Sequence, residues 1–526
     1  MARSLEELLG RGYFPEELPP PFTTKPYAEA IRANYGTLPP QFFGSAKPGK
    51  VAIHNRPRVG SLRRALGLPN PIHQFRICNE IFHHWRELNA VFAKSKMSLS
   101  LPVSRRYSGR ALLPRYSMGA LPLHRAAVRG TSRYVVQADI SRFYHSIYTH
   151  SIPWALHGKF VAKKRRTDLR LLGNRLDKFI RDGQDNQTIG IPIGPDSSLA
   201  IAEAILCRIE TEIPTRLKRT SLRYIDDFEL GFGTLSQAEE ALAELQERLS
   251  EYELALNPKK TRIIALPHPL DEPWVSELRG LTIANDSDAQ VQHYDLLRYF
   301  DRAFELASAH PHEHVLNYAI QKVSAVLVAK RNWKLYQNLM LQCILSEPGT
   351  LRYGFAQLTR YKQMGYMVDL EGIRKVVNSL IEYHCRQAHG NEVAWAIWAA
   401  IYFGTSISVA NGKRIGAMED PVVALLALDA RSRKVIPKSV AFDSWKSQMT
   451  TDNLYEKQWL LAYEANMKKW LPSRGKGDHV NRDPAFALLK ANQVHFYDDS
   501  ILGRIRAKQL PSEAAFMKLS TLFLQY

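Results

Sequence analysis

Apolar and polar positions follow two styles along this chain, and the change of style divides it. From about 60 to 290, short β-branched and aromatic runs alternate with stretches of helical spacing, which predicts a mixed α/β unit. Arg133-Tyr-Val-Val-Gln-Ala-Asp139 reads as a strand ending at its aspartate. Ser221-Leu-Arg-Tyr224-Ile-Asp226-Asp227-Phe-Glu-Leu-Gly-Phe232 has apolar residues on both sides of an acidic pair, as in a hairpin with the aspartates in its tight turn. Gly190-Ile-Pro192-Ile-Gly194-Pro195-Asp-Ser197-Ser198 predicts a loop opening a capped helix, with Ile201, Ile205 and Ile209 on one face. Ser236 and Glu239 predict a capping box, and Ala238, Leu242, Leu245, Leu249 and Tyr252 the buried face of the helix they open. Beyond about 290 the strand pattern stops. Leu296, Leu297, Phe300, Ala303, Phe304 and Ala307, and later Trp459, Leu460, Tyr463, Met467 and Trp470, recur at helical spacing. The final third is therefore expected to be all-helical, a solenoid of irregular helix pairs without a strict period. Before about 60, prolines and aromatics (Tyr13, Phe14, Pro15, Pro19, Pro20, Pro21, Phe22) disfavour helix and predict an extended arm laid against a domain, with a flexible tail as the other reading. The expected division is 1–60 arm, 61–290 α/β unit and 291–526 helical region.

A length of 526 residues fits two or three domains, and 45% hydrophobic with 23% charged residues fits a globular chain with a sizeable core. The formal net charge of +20 points to a polyanionic partner, nucleic acid first, although a basic surface also serves solubility or a membrane face. Cys78, Cys207, Cys343 and Cys385 lie far apart, with neither zinc-site nor disulfide-scaffold spacing. The N-terminus, with Glu6, Glu7, Glu16 and Glu17, lacks the basic start and apolar core of a signal peptide, and no apolar run is long enough for a membrane span. A cytoplasmic protein is expected.

The chemistry-bearing residues are Asp139, Asp226 and Asp227. A Tyr-x-Asp-Asp tetrapeptide alone is cheap, because Asp-Asp pairs suit turns, and Phe496-Tyr497-Asp498-Asp499 matches a relaxed version of it. The later copy follows a helical stretch and lacks flanking strands, so it reads as a loop or helix cap. For the earlier copy, nucleotidyl transfer supplies a reason: one divalent ion activates an attacking 3′-hydroxyl, another neutralises leaving pyrophosphate, and oxygen ligands suit both. Three ionised carboxylates within about 4 to 6 Å repel one another unless a cation compensates them. In Asn257-Pro258-Lys259-Lys260-Thr261 a lysine would protonate pyrophosphate or simply be solvated. The basic run Lys159, Lys163, Lys164, Arg165, Arg166, Arg170, Arg175 and Lys178 reads as a nucleic-acid track or a solvated helical face. His310-Pro-His312-Glu-His314 reads as exposed loop histidines.

In order, Asp139 with Tyr144, the glycine-proline loop, Tyr224-Ile-Asp226-Asp227, Asn257-Pro258-Lys-Lys260-Thr261 and Leu278-Arg-Gly280-Leu281 resemble the successive motifs of reverse transcriptases. Gly12-Tyr-Phe-Pro-Glu-Glu-Leu-Pro-Pro-Pro-Phe22, Ser146-Ile-Tyr-Thr-His-Ser-Ile-Pro-Trp154 and the helical C-terminal part are similar to the bacterial antiphage, abortive-infection group of that family. The resemblance implies an α/β (α+β) right-hand polymerase with fingers and palm, followed by an all-α helical-repeat domain. It implies RNA-directed DNA synthesis in antiphage defence, with template-independent or protein-primed synthesis as one alternative and a non-catalytic RNA-binding scaffold as another. It implies two magnesium ions, or manganese, at Asp139, Ile140, Asp226 and Asp227, with Lys260 as a catalytic group. Tyr144, Phe143, Gly194, Ile193, Arg125 and Arg129 would contact the deoxynucleotide, Tyr144 as the gate against a 2′-hydroxyl. Lys163, Lys164, Arg165, Arg166 and Tyr224 would contact RNA or DNA. Ile193 departs from the glutamine frequent in relatives, and a homo-oligomer is expected.

Overall fold

The computed structural model describes residues 4–44, 46–58, 62–105, 108–218 and 220–507. Residues 1–3, 45 and 59–60 of the expected arm, 61, 106–107 and 219 of the α/β unit, and 508–526 of the helical region lie outside the described residues.

β1 Ala52–Pro57 and β2 Arg63–Leu68 form a hairpin of their own, and β3 Pro102–Val103 pairs with β4 Leu113–Pro114. The main sheet is antiparallel, with β5 Tyr134–Asp139, β6 Ser221–Tyr224, β7 Asp227–Phe232 and β8 Arg262–Ala265 in the order β6-β7-β5-β8. Its register fixes which side chains meet. Asp139 lies opposite Asp227, Gln137 opposite Glu229 on one side and Arg262 on the other. Because successive side chains point to opposite faces, these five polar residues share one face. Val136, Ala138, Phe228 and Leu230 take the other face and join the core. Helix Leu235–Ser250 covers that second face, burying Ala238, Ala241, Leu245 and Leu249. Its cap is Thr234, whose hydroxyl accepts the Gln237 N–H at 3.3 Å, in place of the expected Ser236 and Glu239 box. Thr234 is extended (φ −131°, ψ 155°), the geometry an N-cap needs, so the helix starts directly after the strand turn.

Helix Asp196–Glu212 is buried on almost every side. It has no side-chain cap, contrary to the sequence expectation, because its N-cap is Pro195. The Asp196 carboxylate turns instead to Arg110 Nε and the backbone N–H groups of Ala111 and Leu112, each at 2.9 Å.

The N-terminal segment is not free of helix. Leu5–Gly10 and Lys25–Asn34 are helical, the first capped by Ser4 and the second tolerating Pro26 in its first turn. Between them the proline-rich stretch is laid against the rest of the chain: the Tyr13 hydroxyl donates to Pro69 O at 2.5 Å, Trp395 Nε1 donates to Glu17 O at 3.1 Å, and Phe22 bridges Tyr497. From Ala289 onward the described residues contain helices, turns and that one bridge. Helix Ala289–Ala309 buries Leu296, Tyr299, Phe300, Ala303 and Leu306. Among the described residues, one large hydrophobic core cluster runs from Leu8 to Leu502 without a break near 60 or 290, beside a smaller one of Leu99, Leu121, Val128, Leu222 and Tyr224. Among the described residues, no helix is long and apolar enough to cross a membrane.

Candidate active site

Asp139 closes β5 with its side chain mostly buried, and two neighbours hold the carboxylate. Asn257 Nδ2 donates to Oδ1 at 2.8 Å and Lys260 Nζ to Oδ2 at 2.9 Å. The Asn257 N–H also donates to the Asp139 carbonyl at 2.7 Å, so the Asn-Pro-Lys-Lys segment is stitched to the strand end by backbone and side chain alike. Ile140 is buried, bridges Leu256, and donates its N–H to Asp226 O at 3.2 Å.

The hairpin forms where the pattern predicts, but only Asp226 lies in its turn, and Asp227 is the first residue of β7. Tyr224 pairs with Asp227, leaving Ile225-Asp226 as a two-residue turn. Ile225 has φ 54°, a conformation that a β-branched residue adopts only at a cost of roughly 1–3 kcal/mol. Two bonds hold it there: its N–H donates to Ser100 Oγ at 2.7 Å, and its carbonyl accepts from Arg223 Nη1 at 2.9 Å. Arg223 is fully buried, forked on both oxygens of Glu203 at 2.9 and 3.0 Å and reaching Glu210 at 2.5 Å, while Ser100 Oγ donates to Glu203 at 2.6 Å. Bidentate, charge-assisted contacts of this kind are rigid as well as strong. The strained turn is thereby fixed from behind by a buried ionic cluster.

The carboxylates in front are under-compensated. Cross-strand partners such as Asp139 and Asp227 have Cβ atoms about 4.5–5.5 Å apart. Burial first, and the Asp139 charge as well, raise the proton affinity of Asp226. Asp227 is pushed up to about 7 by its packing, then by the charges of Asp226 and Asp139, with Lys260 opposing. Its side chain opens to water, so the repulsion is the durable part of that rise. An all-oxygen donor set carrying excess negative charge fits a hard divalent cation, and Lys260 supplies only one positive charge. Asp139 and Asp227 meet side chain to side chain, but the three aspartates do not all converge; among the described residues, the His, Cys, Asp and Glu cluster with ligand atoms all within 4.8 Å lies elsewhere, at His384, His389 and Glu392. A cleft of about 340 Å³ opens beside them, lined by Asp139, Asp227, Lys260, Gln137, Tyr224 and Arg125 among others.

The other expected contacts divide. The Tyr144 carbonyl accepts the Ile191 N–H at 2.8 Å, and its hydroxyl, raised by burial, also feels the Asp226 charge. Phe143 is a core residue at 2% exposure, which removes it from nucleotide contact. Tyr224 lines the cleft while packing on Leu99, Leu121 and Val128. Ile193 is stitched to β2, its carbonyl accepting the Gly67 N–H at 2.8 Å. Gly194 has φ 127°, and a Cβ there would stand 2.5 Å from Pro15 Cγ. Its close approach accommodates the N-terminal segment. Arg125 and Arg129 pair with Glu229 at 2.6 and 3.2 Å, and Arg129, buried, also donates to Pro269 O at 2.6 Å. They brace the loop after β8, and only Arg125 reaches the cleft wall. Lys163, Lys164, Arg165 and Arg166 are exposed and none lines the cleft; Arg165 pairs with Asp168 and Lys163 lies over Trp154.

The sequence pattern did not single out Arg64 on β2, whose charge and that of Asp226 act on each other. Among the described residues it has no ion-pair partner, whereas Arg56 and Arg63 are paired with Glu17 and Glu392. The signal was the density of arginine around the hairpin, at 56, 58, 63 and 64. Ser100 and Glu203 were missed too, and nothing local in the sequence marks them.

No curated protein matches this chain. The family model of the reverse transcriptase (RNA-dependent DNA polymerase) matches residues 56–297, an interval holding β2, the whole main sheet, the three aspartates and Lys260. The match supports a reverse transcriptase, and the protein is an enzyme, an RNA-directed DNA polymerase of the nucleotidyltransferase class.

Proposed function

We propose that Asp139, Asp226 and Asp227, with Ile140 beside them, form a two-metal site for deoxynucleotide transfer, magnesium being the working ion. One observation carries the reading: two carboxylates with raised proton affinity, Asp226 on a strained turn and Asp227 on the strand it opens, stand next to a third, and a buried ionic cluster braces that turn from behind. When bound, the ions would activate the primer 3′-hydroxyl and neutralise leaving pyrophosphate. Asn257 keeps the Asp139 carboxylate oriented. Lys260, at 2.9 Å from that carboxylate, would stand within reach of the leaving group and could give it a proton. Tyr144 stands under the incoming sugar, and Arg64 meets the triphosphate from the β1–β2 hairpin. Lys163, Lys164 and Arg166 offer exposed positive charge to RNA or DNA outside the cleft. Residues 1–60 and 291–526 serve as an arm and a helical extension around this domain.

The antiphage role, the cytoplasmic setting and a homo-oligomeric state rest on the resemblance of the N-terminal and Ser146–Trp154 motifs. The test is incorporation of deoxynucleotides by the purified full chain on a primed RNA template. Magnesium-dependent extension that disappears in Asp226→Asn/Asp227→Asn is the expected result, together with loss of protection against phage in cells carrying that variant. Unchanged extension by the variant would overturn the site assignment. Extension without any template would replace copying with untemplated synthesis.

A further inference from the structure

A second group of ligand-type side chains lies outside the reaction site. His384 is in the last turn of helix Leu370–Cys385, His389 is the N-cap of helix Gly390–Phe403, and Glu392 is in the first turn of that helix. One ligand atom from each lies within 4.8 Å of the other two. The two Nδ1 atoms are 3.0 Å apart, and His389 Nδ1 is 3.9 Å from Glu392 Oε1. Two nitrogens bound at 2.0–2.1 Å to one tetrahedral ion are about 3.3 Å apart, close to what is seen.

A hydrogen bond between two imidazoles would account for the short distance alone. Three further observations go past it. Glu392 is a fully buried carboxylate at the same point. The three side chains line a cavity of about 260 Å³ together with His314, Glu347 and Glu313, leaving room for a further ligand. Arg63 forks Glu392 at 2.5 and 2.6 Å, the kind of outer contact that orients a ligating carboxylate. It opposes a cation, but Glu392 stands between them, and Glu347 and Glu313 across the cavity add negative charge. The motif His310-Pro-His312-Glu-His314 acquires a meaning here, since its last histidine faces this cavity with Nδ1 3.5 Å from Glu347.

We propose that His384, His389 and Glu392 bind a divalent transition-metal ion, zinc by ligand type, with a fourth coordination position open to the cavity. The site joins two parts of the chain. Asn55 on β1 accepts the Gly390 N–H at 2.8 Å and donates to Ala388 O at 2.5 Å, and Arg63 is the first residue of β2. A bound ion would therefore clamp the β1–β2 hairpin, which carries Arg64, to the helical region.

The experiment uses the full chain carrying Asp226→Asn and Asp227→Asn, so that the reaction site contributes no binding, stripped with chelator and titrated with Zn²⁺. One retained equivalent is expected, with visible absorption bands of low-symmetry Co²⁺ when cobalt replaces zinc. His389→Ala, the least buried position of the three, should weaken zinc more than about tenfold and abolish the cobalt bands, while its metal-free melting stays near that of the parent. A parent that retains no zinc and develops no cobalt bands overturns the proposal, and so does a His384→Ala/His389→Ala chain that binds as the parent does.

Discussion

Two aromatic-x-Asp-Asp sequences occur in this chain, Tyr224-Ile-Asp-Asp227 and Phe496-Tyr-Asp-Asp499, and their surroundings treat the acidic pair in opposite ways. At 224–227 the tyrosine ends a strand, Asp226 stands on a two-residue turn and Asp227 begins the next strand, and burial and the charges of neighbouring aspartates raise the proton affinity of both. At 497–499 the tyrosine is fully buried, its hydroxyl donating to Asp429 at 2.8 Å, and Phe496 packs among Tyr13, Tyr27 and Trp459. Burial would raise Asp498, but the Ser500 and Arg504 donors outweigh it and its net shift is downward, while Asp499 pairs with Lys468 at 2.8 Å. The second copy is compensated within the chain; the first is left needing a cation. Uncompensated charge on a braced turn, not the tetrapeptide, distinguishes the proposed reaction site from the second copy.

The sharpest test exchanges carboxylates for amides in each copy. Asp226→Asn/Asp227→Asn should lower incorporation by about a thousandfold or more, the several kcal/mol expected when metal-assisted stabilisation is lost, without lowering the melting temperature. Asp498→Asn/Asp499→Asn should leave incorporation per folded molecule within about twofold, which is a fraction of a kcal/mol. Equal losses would erase the distinction. Next comes Tyr497→Phe, which strands a buried acceptor on Asp429 and should cost about 1–3 kcal/mol in denaturant titration while sparing activity. Ser100→Ala removes the donor-acceptor link behind Ile225. It should cost about 1 kcal/mol of stability and reduce kcat by more than that loss explains, because the turn can then relax. Stability lost with kcat intact would show that the strained turn does not matter.

The smallest effect is on pH. Asp227 is held up near 7 in the folded chain against an ordinary carboxylate value unfolded, so the folded state binds the proton more tightly. The metal-free protein should therefore lose stability as pH rises from about 4 to 7, by at most about 1 kcal/mol after solvent screening. Magnesium should remove the trend, and Asp227→Asn should lack it. Thermal melts over this pH range, compared between parent and variant, isolate that contribution.

Much of the reaction site could be read along the chain, because strands and tight turns are local. The β5 run placed Asp139 at a strand end, the apolar flanks of Asp226-Asp227 announced a hairpin, and Ile201, Ile205 and Ile209 marked a buried helix face. The errors were local as well. The cap at Thr234 lies two residues ahead of the box proposed at Ser236, and two helices interrupt the proline-rich arm because Ser4 can cap one and Pro26 sits harmlessly in a first turn.

By itself the sequence determined the hydrophobic period of each segment, the order of the motifs and an excess of positive charge, since these depend on neighbours only a few residues apart. The tertiary structure alone decided which charges meet. It spent Arg125 and Arg129 on Glu229, gave Gly194 to Pro15, and set Ser100, Glu203 and Arg223 behind Ile225. It likewise brought Arg63 to Glu392 across 329 residues. Electrostatic pairing follows distance in space, and no periodicity along a chain records that distance.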